Sequence, residues 1–349
     1  MQFQHLYHII AFCVAAVVVL LSTPVVKYIG LNTGYVDLPG SRKVHQKPIV
    51  RLGGVSIFLG TVIALLTVWG LGGFGVLPSD KEYEIWGVTL GGLAFFLIGF
   101  TDDLFGLSPA MRLVLQSAVA AIAWNVGVQI SFLTIPFMGL MSLPAWLSLV
   151  ITVVWLVGMA NAINWIDGLD GLAAGVSGIA AVVMLIVCLF MGELAAALVI
   201  AALAGATLSF LRYNFNPAQI FMGDGGAYFL GFTLAGVGII GLVKSVTTVA
   251  VLLPYLILAV PILDMSAVIL NRIFSGKSPF IADKRHLHHR LLQAGLPHRM
   301  TVLFIYALTF WAGSLALAFS GIPSGLAYAI AATALLSYTG WKARKQARS

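Results

Sequence analysis

The chain reads as an all-α bundle of about eleven membrane-spanning helices, and three observations predict it. Hydrophobic residues make up 60% of the sequence and charged residues only 9%, where soluble domains carry about 25% charged residues. The apolar residues gather in runs of about 20, the length that crosses a hydrocarbon core about 30 Å thick. Lys and Arg gather in alternate loops, as helices with a fixed orientation require. A soluble chain of 349 residues would suggest two domains. Here one bundle, residues 1–349, takes up every apolar run.

The first run, about 8–29, has no basic leader and is long enough to span, so it reads as a helix rather than a cleaved signal peptide. Further spans are predicted at 53–73, 85–101, 110–130 and 145–163. The stretch 131–144, with Pro136, Gly139 and Pro144, is too broken to cross and predicts a short hairpin or re-entrant piece at the outer face. Two runs, 172–191 and 194–212, are joined only by a tight turn at Gly192-Glu193. The last spans are 227–243, 246–271, 300–319 and 325–341, with Pro254 and Pro261 able to kink the ninth. Cys13 and Cys188 sit inside apolar runs, so no disulfide, zinc site or nucleophilic thiol is expected.

With the N-terminus outside, 17 of the 19 Lys and Arg fall on inner loops and helix ends, leaving only Lys81 and Lys244 outside. An odd number of spans then puts the C-terminus in the cytoplasm. The net charge of +7 is therefore a topology and headgroup signal, and no nucleic-acid partner is expected. Asp102, Asp103, Asp167, Asp170, Asp224 and Asp283 share the inner face. Acids carry little of the topogenic signal, so their grouping needs another cause.

Asp102 and Asp103 end the third span, where the helix dipole disfavours negative charge. Neighbouring side chains point about 100° apart on a helix, so one can face substrate while the other orients a partner; two solvated acids closing the helix are the weaker reading. Asn164, Asp167 and Asp170 recur every three residues through Asn164-Trp165-Ile166-Asp167-Gly168-Leu169-Asp170-Gly171. In a helical turn they would share one face, and their oxygens suit Mg²⁺ or Mn²⁺. A glycine-rich turn with Asx caps explains them equally well.

In Phe221-Met222-Gly223-Asp224-Gly225-Gly226, an acid for metal stands beside N–H groups for phosphate and an aromatic for a base. Asp224 as an N-cap and Phe221 as an interfacial anchor is the simpler account. His286, His288, His289 and Arg290 lie in the longest inner loop, roughly 272–299, without cysteines to complete a zinc site. Their donors suit a pyrophosphate or sugar, or a lipid headgroup. Arg42, Lys43, His45, Lys47 and Arg51 read as a phosphate clamp or as plain topology. Asp264, inside the ninth span and about 12 Å along it from Arg272, is functional by default, with no partner evident.

Taken together and in order, these motifs give the chain a resemblance to the polyprenyl-phosphate N-acetylhexosamine-1-phosphate transferases, over nearly its whole length. Those enzymes move a sugar 1-phosphate from a UDP-sugar to a membrane polyprenyl phosphate and release UMP. The resemblance implies Mg²⁺ (or Mn²⁺) on Asp224, with Asn164 a second ligand, and catalytic roles for Asp102, Asp103 and Asp224. It implies a nucleoside pocket of Asp167 and Asp170, with Phe221 stacking on uracil and Asn214 bonding nearby. His286, His288, His289 and Arg290, joined by Lys47 and Arg51, would contact the sugar and pyrophosphate. The kinked ninth span would wall a lipid groove.

Pro48-Ile49-Val50-Arg51-Leu52-Gly53-Gly54 and the His286–Leu291 stretch look like the branch that uses UDP-N-acetylglucosamine and undecaprenyl phosphate. The branch using UDP-N-acetylmuramoyl-pentapeptide has Thr-Pro-Thr-Met-Gly-Gly and His-His-His-Phe-Glu instead. Transfer of another UDP-hexosamine is a further alternative. The expected place is the inner (plasma) membrane with the site facing the cytoplasm, and the resemblance allows a homodimer. An ion-coupled transporter is the reading from another class. It would hold its acids near mid-membrane between paired repeats, and only Asp264 fits that.

Overall fold

The computed structural model describes residues 2–37, 48–135, 139–243, 248–276 and 285–346. In chain order the elements are helix α1 (Gln2–Thr33), strands β1 (Val36–Asp37) and β2 (Ile49–Val50), and helices α2 (Gly53–Gly70), α3 (Ser79–Phe105) and α4 (Pro109–Asn125). A hairpin of β3 (Phe132–Ile135) and β4 (Gly139–Ser142) leads to α5 (Ala145–Ile166), α6 (Leu172–Met191), α7 (Leu194–Asn214) and α8 (Gly223–Val237). Helix α8 runs on through a π-helical stretch, Gly238–Val243. The chain continues with α9 (Thr248–Ile257), α10 (Ala259–Phe274), the short α11 (Leu287–Gln293), α12 (His298–Phe319) and α13 (Gly325–Gln346).

Eight of the described helices are long and apolar enough to cross a membrane: α1, α2, α3, α5, α6, α7, α8 with its extension, and α12. The remaining predicted spans fall on a shorter helix, a broken one and one that ends in charge. The run 110–130 forms the 17-residue α4, opened by a Ser108 side chain that accepts from the Met111 N–H and by Pro109 at its first position. The run 246–271 is two helices meeting at Leu258, because Pro254 and Pro261 each deny the ladder a donor. Helix α13 carries charge into its last turns. The hairpin predicted across 131–144 is present, registered Phe132 to Ser142 and Ile135 to Gly139.

Helix α8 lies at the centre, buried along nearly all its length and packed by α2, α3 and α5. Between membrane helices, close approach depends on small residues. A β-carbon on Gly99 of α3 would lie 2.5 Å from the Asp224 backbone, and one on Gly231 of α8 would lie 2.5 Å from Ala160 of α5. The α3 and α5 backbones therefore touch α8 directly, which brings their C-terminal acids and amides to the start of α8. At the other end of α3, Lys81 pairs with Glu84 at 3.3 Å and with Glu193 of the α6–α7 turn at 3.6 Å. Those groups stand about 30 Å along the helix from Asp102.

Candidate active site

The site begins with a backbone staple. The Phe221 N–H donates to Val50 O (2.8 Å), Gly53 N–H to Phe221 O (2.9 Å) and Gly54 N–H to Met222 O (2.7 Å). This zipper fixes the end of the first loop against the start of α8. Gly223 then turns with φ +78°, and a β-carbon there would strike Arg51 O and lie 2.6 Å from Asp103 Oδ2. Only glycine suits both the left-handed turn and the close approach.

Three carboxylates meet around that turn. Asp103 Oδ2 accepts from the Gly225 N–H at 3.1 Å, while its buried Oδ1 has no hydrogen-bond partner. Asp224 Oδ1 accepts from Asn164 Nδ2 at 2.9 Å, and the Asp102 carboxyl is within hydrogen-bonding reach of Asp224. Both Asp102 oxygens are engaged, Oδ1 with Leu107 N–H (2.6 Å) and Oδ2 with Arg112 (2.5 Å). Asp102 thus holds Leu107 and Arg112, while Asp103 holds the Gly225 N–H. Arg51 stands 3.7 Å from both Asp103 and Asp224, and Arg112 stands 3.6 Å from Asp224 on the other side. Burial pulls the Arg51 guanidinium down, but Asp103, Asp224, Asp37 and Asp167 outweigh it and hold it above its ordinary value. Two guanidiniums thus face three carboxylates.

Helix α5 ends at Ile166, so Asn164, Asp167 and Asp170 do not share one face. Asn164 turns to Asp224. Asp170 turns away and accepts from Asn216 Nδ2 and the Ala218 N–H, both at 3.0 Å. Asp167 lies between, with its carboxyl pushed up to about 7, first by burial and then by the Asp224 charge. Asn214 is buried and ties two backbones, accepting from Gly171 N–H (3.1 Å) and donating to Ile220 O (2.9 Å). The Tyr306 hydroxyl closes the same loop by donating to Gly171 O at 2.5 Å. Phe221 is half-buried at the staple.

The histidines are not a solvated basic loop. His286 and His288 are buried, whereas Arg290 is exposed. Asp264, which had no evident partner in the sequence, binds His286 Nδ1 at 2.8 Å and accepts the Leu287 N–H at 2.6 Å, so it holds the first turn of α11. The His286 ring meets the edge of Trp165, and Arg272 lies over the same indole 5.5 Å from its centroid. His288 stacks between His286 and His289, and its Nε2 would lie 2.6 Å from a β-carbon on Gly168. Burial, then the neighbouring His289 and His286, lowers the His288 imidazole to about 3, so it is neutral at physiological pH.

The fold therefore gathers Asp102, Asp103, Asn164, Asp167, Asp224 and Arg51, and sets His288 against the same loop. Lys47 lies outside the described residues, as do Arg42, Lys43, His45 and Asp283. Sequence reasoning missed Arg112, which looked like any other inner-face cation, and Tyr228, whose hydroxyl is 3.3 Å from Arg112. Arg112 also lines a groove of about 410 Å³ between α4, α5 and α10, together with Leu113, Val154, Val157, Met265 and Ile269 among others. Leu113 and Val154 are 40% and 65% exposed, so the groove opens sideways onto the apolar surface.

The sequence profile of glycosyl transferase family 4 matches residues 85–242, from α3 through α8. A probable undecaprenyl-phosphate N-acetylglucosaminyl 1-phosphate transferase of Bacillus subtilis is 38% identical over 86% of this chain and 82% of its own. A decaprenyl-phosphate N-acetylglucosaminephosphotransferase of Mycolicibacterium smegmatis is 34% identical over 86% and 79%. An undecaprenyl-phosphate alpha-N-acetylglucosaminyl 1-phosphate transferase of Pasteurella multocida is 33% identical over 85% and 81%. Similarity at this level across most of both chains, with the profile lying over the helices that carry the carboxylates, means that the chain belongs to glycosyl transferase family 4.

Proposed function

We propose that the chain transfers N-acetylglucosamine 1-phosphate from UDP-N-acetylglucosamine to undecaprenyl phosphate, releasing UMP. The observation that carries this reading is the cluster of three carboxylates and two guanidiniums, one of which, Arg112, also lines a largely apolar groove. The relatives' names supply the sugar phosphate and the acceptor.

The donors fit Mg²⁺ or Mn²⁺. They are hard oxygens, one buried Asp103 oxygen accepts no hydrogen bond and only faces Arg51 at 3.7 Å, and the carboxylates outnumber the guanidiniums. Among the described residues no three His, Cys, Asp or Glu form a closed metal cage. That suits an ion held by one or two carboxylates plus substrate phosphates. Asp224 would hold it, with Asn164 as second ligand through its carbonyl oxygen. When bound, the ion would neutralise charge on the pyrophosphate, which is most of what phosphoryl transfer requires.

The chain's own groups do the rest. Asp102 fixes Arg112, leaving Asp103 with an oxygen that accepts no hydrogen bond and can take a proton from, or orient, the acceptor phosphate. Arg51, with Lys47, grips the diphosphate. Asp167, Asp170, Asn214 and Phe221 form the nucleoside side, and His286, His288, His289 and Arg290 the sugar side. An oxygen of the lipid phosphate bonds to the phosphorus that carries the sugar, as the bond from that phosphorus to UMP breaks. Adding α4, the α9–α10 pair and α13 to the eight apolar helices gives eleven spans in one transferase domain, residues 1–349. The N-terminus is then outside and the site faces the cytoplasm; two copies can associate.

The test is UMP release by the detergent-purified protein with undecaprenyl phosphate and Mg²⁺. UDP-N-acetylglucosamine is expected to turn over and UDP-N-acetylmuramoyl-pentapeptide not. Turnover with only the pentapeptide substrate would reverse the choice of branch, and silence of folded protein with every UDP-hexosamine would remove the activity.

A further inference from the structure

A hydrocarbon chain needs nothing polar beside it, yet the groove contains a carboxamide pair. Gln116 lies one turn along α4 from Arg112, and both line the groove, as does Asn161 of α5. Gln116 is fully buried. Asn161 Nδ2 donates to Val157 O at 2.8 Å and to Gln116 Oε1 at 2.7 Å.

The orientation of both amides is forced. An amide oxygen 2.8 Å from Val157 O would set two lone pairs against each other, so the Asn161 NH₂ stands there, and the same NH₂ facing Gln116 needs an oxygen opposite it. Gln116 Nε2 is therefore the free end, and it has no hydrogen-bond partner. A donor stranded in an apolar helix interface is unfavourable, and polar groups at such depth mark function. A polyisoprenoid chain offers no acceptor. The oxygens of its phosphate do, and they must come within reach of Arg112 to meet the carboxylates. Arg112 and Gln116 are about 6 Å apart along the helix, close to the width of one phosphate group.

We propose that Gln116, locked by Asn161, is a positioning residue for the acceptor lipid, its Nε2 donating to a phosphate oxygen that does not attack. This rests on the transferase reading. Arg112 would bind the head from the active-site side and Gln116 from the membrane side, so the pair sets how far the lipid enters and favours a phosphate over the free alcohol.

The test uses the full-length protein in detergent and Gln116→Met, which keeps bulk and removes the donor. Met removes the unpaired donor and also the Oε1 that accepts from Asn161, whose NH₂ keeps Val157 O; the two effects oppose, so the variant is expected to melt near the wild-type temperature. Its KM for undecaprenyl phosphate should rise about tenfold, the loss of one hydrogen bond to a charged group, with KM for UDP-N-acetylglucosamine within about twofold. Thermal protection by undecaprenyl phosphate should weaken while protection by undecaprenol is unchanged. Asn161→Leu, which frees the Gln116 amide, should give part of the same KM rise.

An unchanged lipid KM, an equal rise in both KM values, or equal loss of protection by phosphate and alcohol would overturn the proposal. If the Met variant fails to fold, Gln116→Glu keeps the shape and presents an acceptor to the phosphate; a lipid KM at the wild-type value there would overturn it too. A wild-type protein inactive with every UDP-hexosamine counts against the transferase reading, and the protection arm still judges Gln116.

Discussion

Asp224 sits between like charges, Asp102 and Asp103, and two guanidiniums, Arg51 and Arg112. The repulsion and the attraction lost in Asp224→Asn offset each other, so the melting temperature in detergent should change little, while UMP release falls about a thousandfold, the upper range for one transition-state contact. His288 makes a different prediction. Its imidazole titrates at 6.5 when free and at about 3 in the fold, so between those values the unfolded chain takes up the proton first. Stability should fall as pH drops through that window, by at most about 1.4 kcal/mol per unit, and be insensitive to His288 above it. His288→Asn should flatten that slope, as melting curves from about pH 4 to 7 would reveal. The acids were legible because Asp102, Asp103, Asp167, Asp170 and Asp224 group on one face, which the topogenic signal does not explain. Arg112 was not, since a catalytic cation and a topogenic one look alike in sequence. The Asp264–His286 contact joins residues 22 apart across an element break, and no local pattern encodes it.

At the scale of elements, the loop after α5 and the short α11 are held together by the absence of a side chain. Gly168→Ala would place a β-carbon 2.6 Å from His288 Nε2 and push the imidazole off the loop. A fall in UMP release of about tenfold or more is expected with little change in melting temperature, because the rest of α11 keeps its Asp264 anchor. Gly54→Val on α2 is expected to behave otherwise. It would force apart backbones that touch at Gly226, lowering stability by about 1–3 kcal/mol as overpacked cores do. Thermal melting of both variants separates the two effects. Most elements could be read from runs of about 20 apolar residues, and the 131–144 hairpin from its Pro and Gly. The break at Leu258 could be read only as a kink, since proline marks where a helix is weakened but not whether it restarts. The run through Asp170 looked helical by spacing, whereas Gly168 and Gly171 end the helix sooner.

For the molecule as a whole, the proposed reaction exchanges one pyrophosphate bond for another. Added UMP should therefore inhibit and should drive back-exchange, with labelled UMP appearing in UDP-N-acetylglucosamine. A C-terminal fluorescent fusion should report the cytoplasm, as the skew of Lys and Arg requires. The sideways opening of the groove at Leu113 and Val154 also dictates how such an enzyme experiences concentration. One substrate arrives by diffusion in three dimensions and the other by diffusion in two. Doubling the detergent at a fixed amount of lipid dilutes the acceptor without changing its molarity, so the rate at subsaturating lipid should halve while the nucleotide-sugar dependence stays fixed. The affinity that matters for the acceptor is then a mole fraction of the bilayer, and the cell can throttle the reaction by the composition of its membrane alone.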